Sequence, residues 1–290
     1  MSNSIKIGDN LIGNKNDVYL IAEIGINHNG DFEIAKQLID CAVKYNFHAV
    51  KFQKRTVDIV FTQEDLERLR ESPFGKTNGD LKRGLEFGKE DFLLIDEYCK
   101  KVGIDWFCSP WDENSVDFLE FFNPVCYKIA SASITDINLL KHIKSKSKPI
   151  ILSTGMSTLD EIDVAVETLK GSELILLHTT STYPCPDEDL NLMMINTLRK
   201  RYNLLIGYSG HETGVMPSVF AATSFGACVI ERHVTLNRAM WGSDQSASLE
   251  PRGMELLSRS IRQYKIAHGD GVKVIKSDEM AVKQKLRRIG

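Results

Sequence analysis

The sequence predicts a single (β/α)₈ barrel, and three observations support it. Short apolar, β-branched runs alternate eight times with longer amphipathic segments between residues 18 and 270, as expected when helices cover a parallel sheet; eight units close a barrel. No Pro-, Gly- or Ser-rich linker and no shift of composition divides the chain, although 290 residues would by length alone allow two domains. The competing doubly wound sheet would carry G-x-G-x-x-G after its first strand for dinucleotide binding, where this chain reads GINHNGD. With 42% hydrophobic and 26% charged residues, disordered and fibrous architectures are excluded.

The units follow in order. Val18 to Gly25 (VYLIAEIG) is the first apolar run, and FEIAKQLIDCAVKYN after it repeats apolar residues at helical spacing. His48 to Gln53 (HAVKFQ) is the second strand. The polar stretch RTVDIVFTQEDLERLRESPFGKTNGDLKRGLEF then intervenes before the helix KEDFLLIDEYCKKVG; insertions of this length are functional loops or disordered. The remaining units are IDWFCSP with NSVDFLEFF, VCYKIAS with INLLKHIKS, PIILSTG with LDEIDVAVETLKG, LILLHTTS with LNLMMINTLRKRY, LLIGYSG with VMPSVFAATSFG, and ACVIERHVTL with GMELLSRSIRQYKIAHG. The chain therefore divides into an N-terminal segment at 1–17, the barrel at 18–270 and a charged C-terminal tail at 271–290 that leaves no room for another domain.

Charge and cysteine content narrow the partners. Lys and Arg total 36 against 39 Asp and Glu, so no global positive field favours nucleic acid or an anionic membrane; an anionic ligand must be held by locally placed cations. No apolar run reaches membrane-spanning length and the start, MSNSIKIGDN, lacks the form of a signal peptide, so a cytoplasmic location is expected. Cys41, Cys99, Cys108, Cys126, Cys185 and Cys228 show no C-x-x-C or zinc-finger spacing and read as reduced, packed thiols.

In such a barrel the active site forms at the carboxyl ends of the strands, so polar residues there carry functional readings. They are Glu23 and Asn27, Lys51 and Gln53, Ser109 and Asp112, Lys128 and Ser131, Ser153 and Thr154, His178, Thr180, Ser181 and Tyr183, Ser209 and His211, and Glu231, His233 and Asp244. Lys51 and Lys128 sit inside apolar strands, where an ammonium group needs an anion. That anion is either a structural partner, Glu23 or Glu231, or a ligand phosphate or carboxylate, with the hydroxyls of Ser131, Ser153 and Ser209 completing a cradle. A Schiff base on either lysine is a third reading.

His211 and His233 end neighbouring strands, so their rings can converge on one point and hold a divalent metal such as Mn, Fe, Co or Zn, leaving positions open for water and substrate oxygens. Glu23 and Asp244 are further ligands or supports. His28, His142 and His268 have no such placement. A metal to polarise a carbonyl, two lysines and several hydroxyls for a phosphorylated carboxylate, and carboxylates for proton transfer fit carbon–carbon bond formation between an aldehyde and an anionic enol.

The stretches IAEIGINHNGD, VKFQK, YKIAS, LSTGM, GYSGHETG, ERHVTL and GSDQSASLEP, in order from about residue 18 to 268, resemble the sialic acid synthase family, whose members condense phosphoenolpyruvate with a sugar to make nonulosonic acids. GKTNGDLKRGLEF, GYSGHETG and GSDQSASLEP are most similar to the animal-type branch, which acts on hexose 6-phosphates. The resemblance implies condensation with the open-chain aldehyde of a mannose-type sugar (N-acetylmannosamine, mannose or a 6-phosphate), releasing phosphate. It further implies a divalent metal, Mn²⁺ foremost with Mg²⁺ or Co²⁺ as substitutes, on His211 and His233. Lys51, Lys128, Ser131, Ser153 and Ser209 would hold phosphoenolpyruvate, Glu23 would stand near the reacting carbons, and Gln53, Ser181, Tyr183 and Asp244 would face the sugar. Bacterial members carry Asn at the position of Ser181. Lys76, Lys82 and Arg83 of the insertion would meet a sugar phosphate or else form a solvated charged loop.

Members of that family continue into an antifreeze-like domain that lends an arginine to the partner subunit's sugar site, and residues 271–290 hold no counterpart of it. A homodimer is expected, resting on the barrel faces. The rivals are a sister 3-deoxy-ulosonate synthase with another aldose acceptor, a Schiff-base aldolase using Lys128 and pyruvate, and a sugar-binding barrel without activity.

Overall fold

The computed structural model describes residues 4–13 and 17–289. Eight parallel strands carry the fold: β1 (Tyr19–Gly25), β2 (Ala49–Lys54), β3 (Asp105–Pro110), β4 (Tyr127–Ile129), β5 (Ile150–Ser153), β6 (Leu174–Thr179), β7 (Leu205–Gly210) and β8 (Val229–His233). Ladders run in the order β3-β2-β1-β8-β7-β6-β5-β4, and β3 and β4 lie side by side at the seam, so the sheet curls into the expected barrel. Eight helices cover it: α1 (Phe32–Lys44), α2 (Lys89–Val102), α3 (Glu113–Glu120), α4 (Ile137–Ser145), α5 (Leu159–Thr168), α6 (Met194–Tyr202), α7 (Met216–Thr223) and α8 (Pro251–His268).

Strand alternation sorts the side chains into two shells. Leu20, Ala22, Val50, Phe52, Trp106, Tyr127, Ile150, Leu176, Ile206 and Ile230 point outward and pack under the helices. The inward positions near the strand starts, Tyr19, Ile21, Ala49, Phe107, Ile151, Ile175, Leu205 and Val229, form a second apolar cluster that fills the barrel. Two residues further along, the inward positions turn polar: Glu23, Lys51, Ser109, Lys128, Ser153, Ser209, Glu231 and His233, all buried. The apolar layer is the floor on which these groups stand. Register places Glu23 beside both Lys51 and His233, and Ser209 beside Glu231.

The N-terminal segment, expected only as a lead-in, contains a hairpin of Ser4–Ile7 and Asn10–Gly13. Its alternation buries Ile5, Ile7 and Ile12 against the inner cluster and so closes the amino-terminal end of the barrel. Gly8 makes the turn with φ 56°, a left-handed conformation that suits glycine. Residues 1–3 and 14–16 of that segment, and residue 290 of the tail, lie outside the described residues. The tail carries a helix, Ser277–Leu286, with its residues on the surface.

The insertion after β2 is ordered. It folds into three short helices (Val57–Val60, Gln63–Glu67, Asn78–Gly84) and a small hairpin (Leu69–Ser72 with Gly75–Thr77). Thr77 caps the third helix in a capping box with Asp80. His28 docks the far end by stacking on Phe87 with ring centroids 3.8 Å apart. This insertion walls one side of the barrel mouth.

Candidate active site

A cavity of about 300 Å³ opens at the carboxyl ends of the strands. Its lining gathers Glu23, Lys51, Gln53, Ser109, Lys128, Ser131, Ser153, Ser181, Tyr183, Ser209, His211, Glu231, His233 and Asp244, fourteen of the strand-end residues the sequence singles out.

Its base is a buried charge cluster. Lys51 Nζ lies 2.8 Å from Glu23 Oε2 and 3.6 Å from Glu231 Oε1, and donates to Ser109 Oγ at 3.1 Å. Lys128 Nζ donates to Ser153 Oγ at 2.6 Å and to the Ile129 carbonyl at 3.1 Å, and stands 3.8 Å from Glu231 Oε1. The lysines therefore have the structural partners Glu23 and Glu231 and also line the cavity. Four groups share the charge: burial pushes the Glu23 carboxyl above its ordinary range despite the pull of Lys51. Burial also pushes on Glu231, but Lys128 and Lys51 together outweigh it and hold this carboxyl below its ordinary range. Burial lowers the Lys128 ammonium to about 8, whereas in Lys51 the attraction of Glu23 and Glu231 overcomes burial and raises it. Two carboxylates with pKa values pushed apart supply one group able to carry a proton and one that stays charged.

The two imidazoles converge above this cluster, with ring centroids 5.5 Å apart. His211 Nδ1 lies 2.7 Å from the Thr180 carbonyl; donation there leaves Nε2 with a free lone pair. Burial and the neighbouring His233 lower His211 to about 4, so it is neutral near pH 7. His233 Nδ1 is buried without a hydrogen-bond partner, 3.8 Å from Asp244 Oδ2. The Tyr183 ring brackets both, 4.0 Å from the His211 ring and 5.7 Å from that of His233. Among the described residues no group of three or more His, Cys, Asp or Glu side chains forms a protein-only metal cage.

On the outer side, Gln53 Nε2 donates to Glu23 Oε1 at 2.8 Å, and its carbonyl oxygen accepts from Arg55. Arg55 stacks over Trp111 at 4.5 Å and pairs with Glu86 at 3.6 Å. Arg55 and Trp111 line the cavity but escaped the sequence reading, though both lie directly after strand ends. Of Lys76, Lys82 and Arg83, the three insertion cations considered for a sugar phosphate, Lys82 lines the cavity; Lys76 is exposed, and Arg83 pairs with Asp58 outside it.

Five strand-end residues do not take part. Asn27 Nδ2 holds the Val234 carbonyl at 2.9 Å and Ser248 Oγ at 2.8 Å, fixing the loop after β8. Asp112 caps α3 through Ser115 N at 2.8 Å and anchors Thr56 N at 2.7 Å. Thr154 donates to the Leu177 carbonyl, His178 Nε2 lies 2.7 Å from the Leu190 carbonyl, and the Thr180 hydroxyl donates to the Asp189 carbonyl. These side chains satisfy backbone groups where loops leave the barrel, a demand as strong at a strand end as catalysis.

The model of the NeuB family matches residues 38–273 of this chain. The chain belongs to the NeuB family. This NeuB-family protein is 40% identical over 256 residues to the N-acetylneuraminate-9-phosphate synthase of Drosophila melanogaster, covering 86% of this chain and 68% of the fly protein. It is 36% identical over 286 residues to the N,N'-diacetyllegionaminic acid synthase of Legionella pneumophila, covering 95% and 80%. Among solved structures, the N-acetylneuraminic acid (sialic acid) synthetase of Leptospira borgpetersenii in complex with citrate superposes with a TM-score of 0.84 at 33% identity, over 100% of this chain and 99% of that one.

Proposed function

We propose that this NeuB-family protein condenses phosphoenolpyruvate with the open-chain aldehyde of a mannose-type sugar, giving a 3-deoxy-2-keto nonulosonic acid and phosphate. The observation that carries the reading is the base of the cavity: two buried ammonium groups, each beside a serine hydroxyl, under a pair of converging imidazoles. The names of its relatives, synthases of sialic and legionaminic acids, agree with it.

Lys51 and Lys128 would hold the carboxylate and phosphate of phosphoenolpyruvate, with Ser131, Ser153 and Ser209. Ser131 Oγ already accepts from the Gly155 amide at 3.0 Å, and a Cβ at Gly155 would collide with both Ser131 and Ser181, so this glycine keeps the cradle open. Carbon 3 of phosphoenolpyruvate attacks the aldehyde carbon, and the aldehyde oxygen becomes a hydroxyl by taking a proton that the water of the next step replaces. Water adds to the cationic carbon 2 and gives up a proton; Glu23, raised by burial, is placed to accept it. The tetrahedral adduct then collapses to the ketone with cleavage of the carbon–oxygen bond to phosphate. Gln53, Ser181, Tyr183 and Asp244 would orient the sugar.

A divalent cation, Mn²⁺ foremost, fits the imidazole pair, because Thr180 fixes His211 with Nε2 free and His233 presents a buried nitrogen without a partner. When bound it supplies Lewis acidity toward the aldehyde oxygen. With two protein donors, water and substrate oxygens would complete its coordination.

The rim favours an anionic acceptor. Burial and the nearby guanidinium groups of Arg55 and Arg70 lower the Lys82 ammonium, a cluster of like charges that a sugar phosphate would relieve. The reading includes a cytoplasmic homodimer: the six cysteines are free thiols, as a reducing compartment keeps them, and the dimer rests on the family resemblance.

The deciding experiment measures phosphate release from phosphoenolpyruvate with Mn²⁺ against N-acetylmannosamine, mannose and arabinose, each with and without a terminal phosphate. Release with a mannose-type acceptor is expected. Release with arabinose phosphate alone would replace this reading with the sister synthase, and borohydride trapping of pyruvate on a lysine would replace it with the Schiff-base aldolase.

A further inference from the structure

Behind the two histidines, on the outer side of β7 and β8, a second ion pair is wholly enclosed. Arg232 and Glu212 are each 0% exposed, with Nη1 2.8 Å from Oε1. Each follows or precedes a cavity histidine by one residue: Glu212 comes after His211, and Arg232 comes before His233. Alternation along β8 sends His233 inward and Arg232 outward, under the start of α7.

The pair is cross-braced. Arg232 Nη1 donates also to the Gly214 carbonyl and to Ser218 Oγ of α7, both at 2.9 Å, and Nη2 donates to the main-chain carbonyl of Glu212. The Glu212 carboxylate accepts from Ser218 Oγ at 2.6 Å and from Tyr208 OH at 2.9 Å. A Cβ at Gly210 would collide with that carboxylate and with the Tyr208 ring, so glycine there lets the side chain fold back. The sheet ladder between β7 and β8 ends at Gly210 and Arg232, so it does not extend to His211. Beyond it, the His211 main chain is held by Cys185 N, which donates to its carbonyl at 3.0 Å, and by this arginine clamp on the next residue.

We infer that Arg232 and Glu212 are positioning residues that fix the separation and aim of the His211 and His233 rings. A buried pair of full charges is a costly way to brace a core, since apolar side chains of similar volume can replace such pairs without loss of folding. What the apolar replacement lacks is direction: the guanidinium is a planar fork that ties the main chain after His211 to the residue before His233. The inference rests on the metal-site reading for its consequence in catalysis, and its test separates the two.

The variants are Glu212→Gln, which keeps the shape and removes the charge, and the double variant Glu212→Leu with Arg232→Met, which removes both charges and preserves an apolar core. In metal-free protein, the side-chain NMR resonances of His211 and His233 should shift in any folded variant. Mn²⁺ affinity followed by electron paramagnetic resonance should fall about 10- to 100-fold, as loss of support behind a ligand does. Phosphoenolpyruvate affinity, which reports the floor of the cavity, should stay within about twofold. If the rings resonate unchanged in a folded variant and Mn²⁺ affinity is preserved, the brace serves folding alone and the inference is wrong. If the unaltered protein binds no Mn²⁺, the metal reading fails while the ring resonances still decide the positioning role.

Discussion

Lys128 Nζ stands 3.8 Å from Glu231 Oε1 in a site where the two side chains are 2% and 5% exposed, and it is the lysine whose ammonium burial has lowered to about 8. Lys51, with Glu23 at 2.8 Å and Glu231 at 3.6 Å, is raised instead. The two ammonium groups therefore differ in how much further anionic charge they call for. Lys128, with one distant carboxylate, is the less compensated and has more to gain from an incoming phosphate or carboxylate.

Replacing Lys128 with Met should weaken phosphoenolpyruvate binding by about 2–5 kcal/mol, the range for removing one member of a desolvated charge pair. The wild-type affinity should also fall as pH rises through about 8, because deprotonation removes the charge the ligand meets. Titration calorimetry between pH 7 and 9 tests both. A wild-type affinity flat across that interval, or a Lys128→Met protein with native affinity, would remove Lys128 from the cradle.

His211→Ala removes one of two imidazole donors and leaves the lysine cradle intact. Mn²⁺ affinity should drop by more than the about 10- to 100-fold that loss of a merely supporting group costs. Turnover should vanish, and chelator-treated wild-type protein should regain activity on adding Mn²⁺. Full turnover after metal stripping would end the metal assignment.

Lys82→Ala tests the acceptor. Lys82 lines the cavity and feels the charges of both Arg55 and Asp244. Its loss should lower kcat/KM for a 6-phosphorylated mannose-type sugar by at least about tenfold, about 1.4 kcal/mol. The unphosphorylated sugar should be affected less than about threefold. Equal losses for both sugars would make Lys82 a general support of the wall.

The barrel was legible because its signal is repeated: eight alternations constrain one another, and inward-facing Lys51, Lys128 and Glu231 stand out within apolar strands. The site was legible to the extent that strand ends define it. Asn27, Asp112, Thr154, His178 and Thr180 meet the same positional test but serve backbone groups instead, a distinction set by loop geometry that strand periodicity does not encode. Arg55 and Trp111 were missed because the test took Gln53, Ser109 and Asp112 and passed over their neighbours, although the loops immediately beyond those strands complete the wall. The Glu212–Arg232 pair is invisible to it, since both face away from the cavity.

The N-terminal hairpin carried a readable signal that strand-end reasoning had no use for: Gly8-Asp9 between the alternating runs SIKI and NLIG. Its Ile7 is fully buried against Tyr19, Ile21, Phe107 and Val229, at the opposite end of the barrel from the lysines. Ile7→Ala should therefore cost about 2–5 kcal/mol of stability, the usual toll of a cavity in a tight core. Because the substitution lies beneath the apolar floor, turnover per folded molecule should be unchanged within about twofold. Urea unfolding paired with a phosphate-release assay separates the two effects. A variant as stable as the parent would show that the hairpin does not seal the barrel, and a stable but inactive one would show that the floor transmits strain to the site.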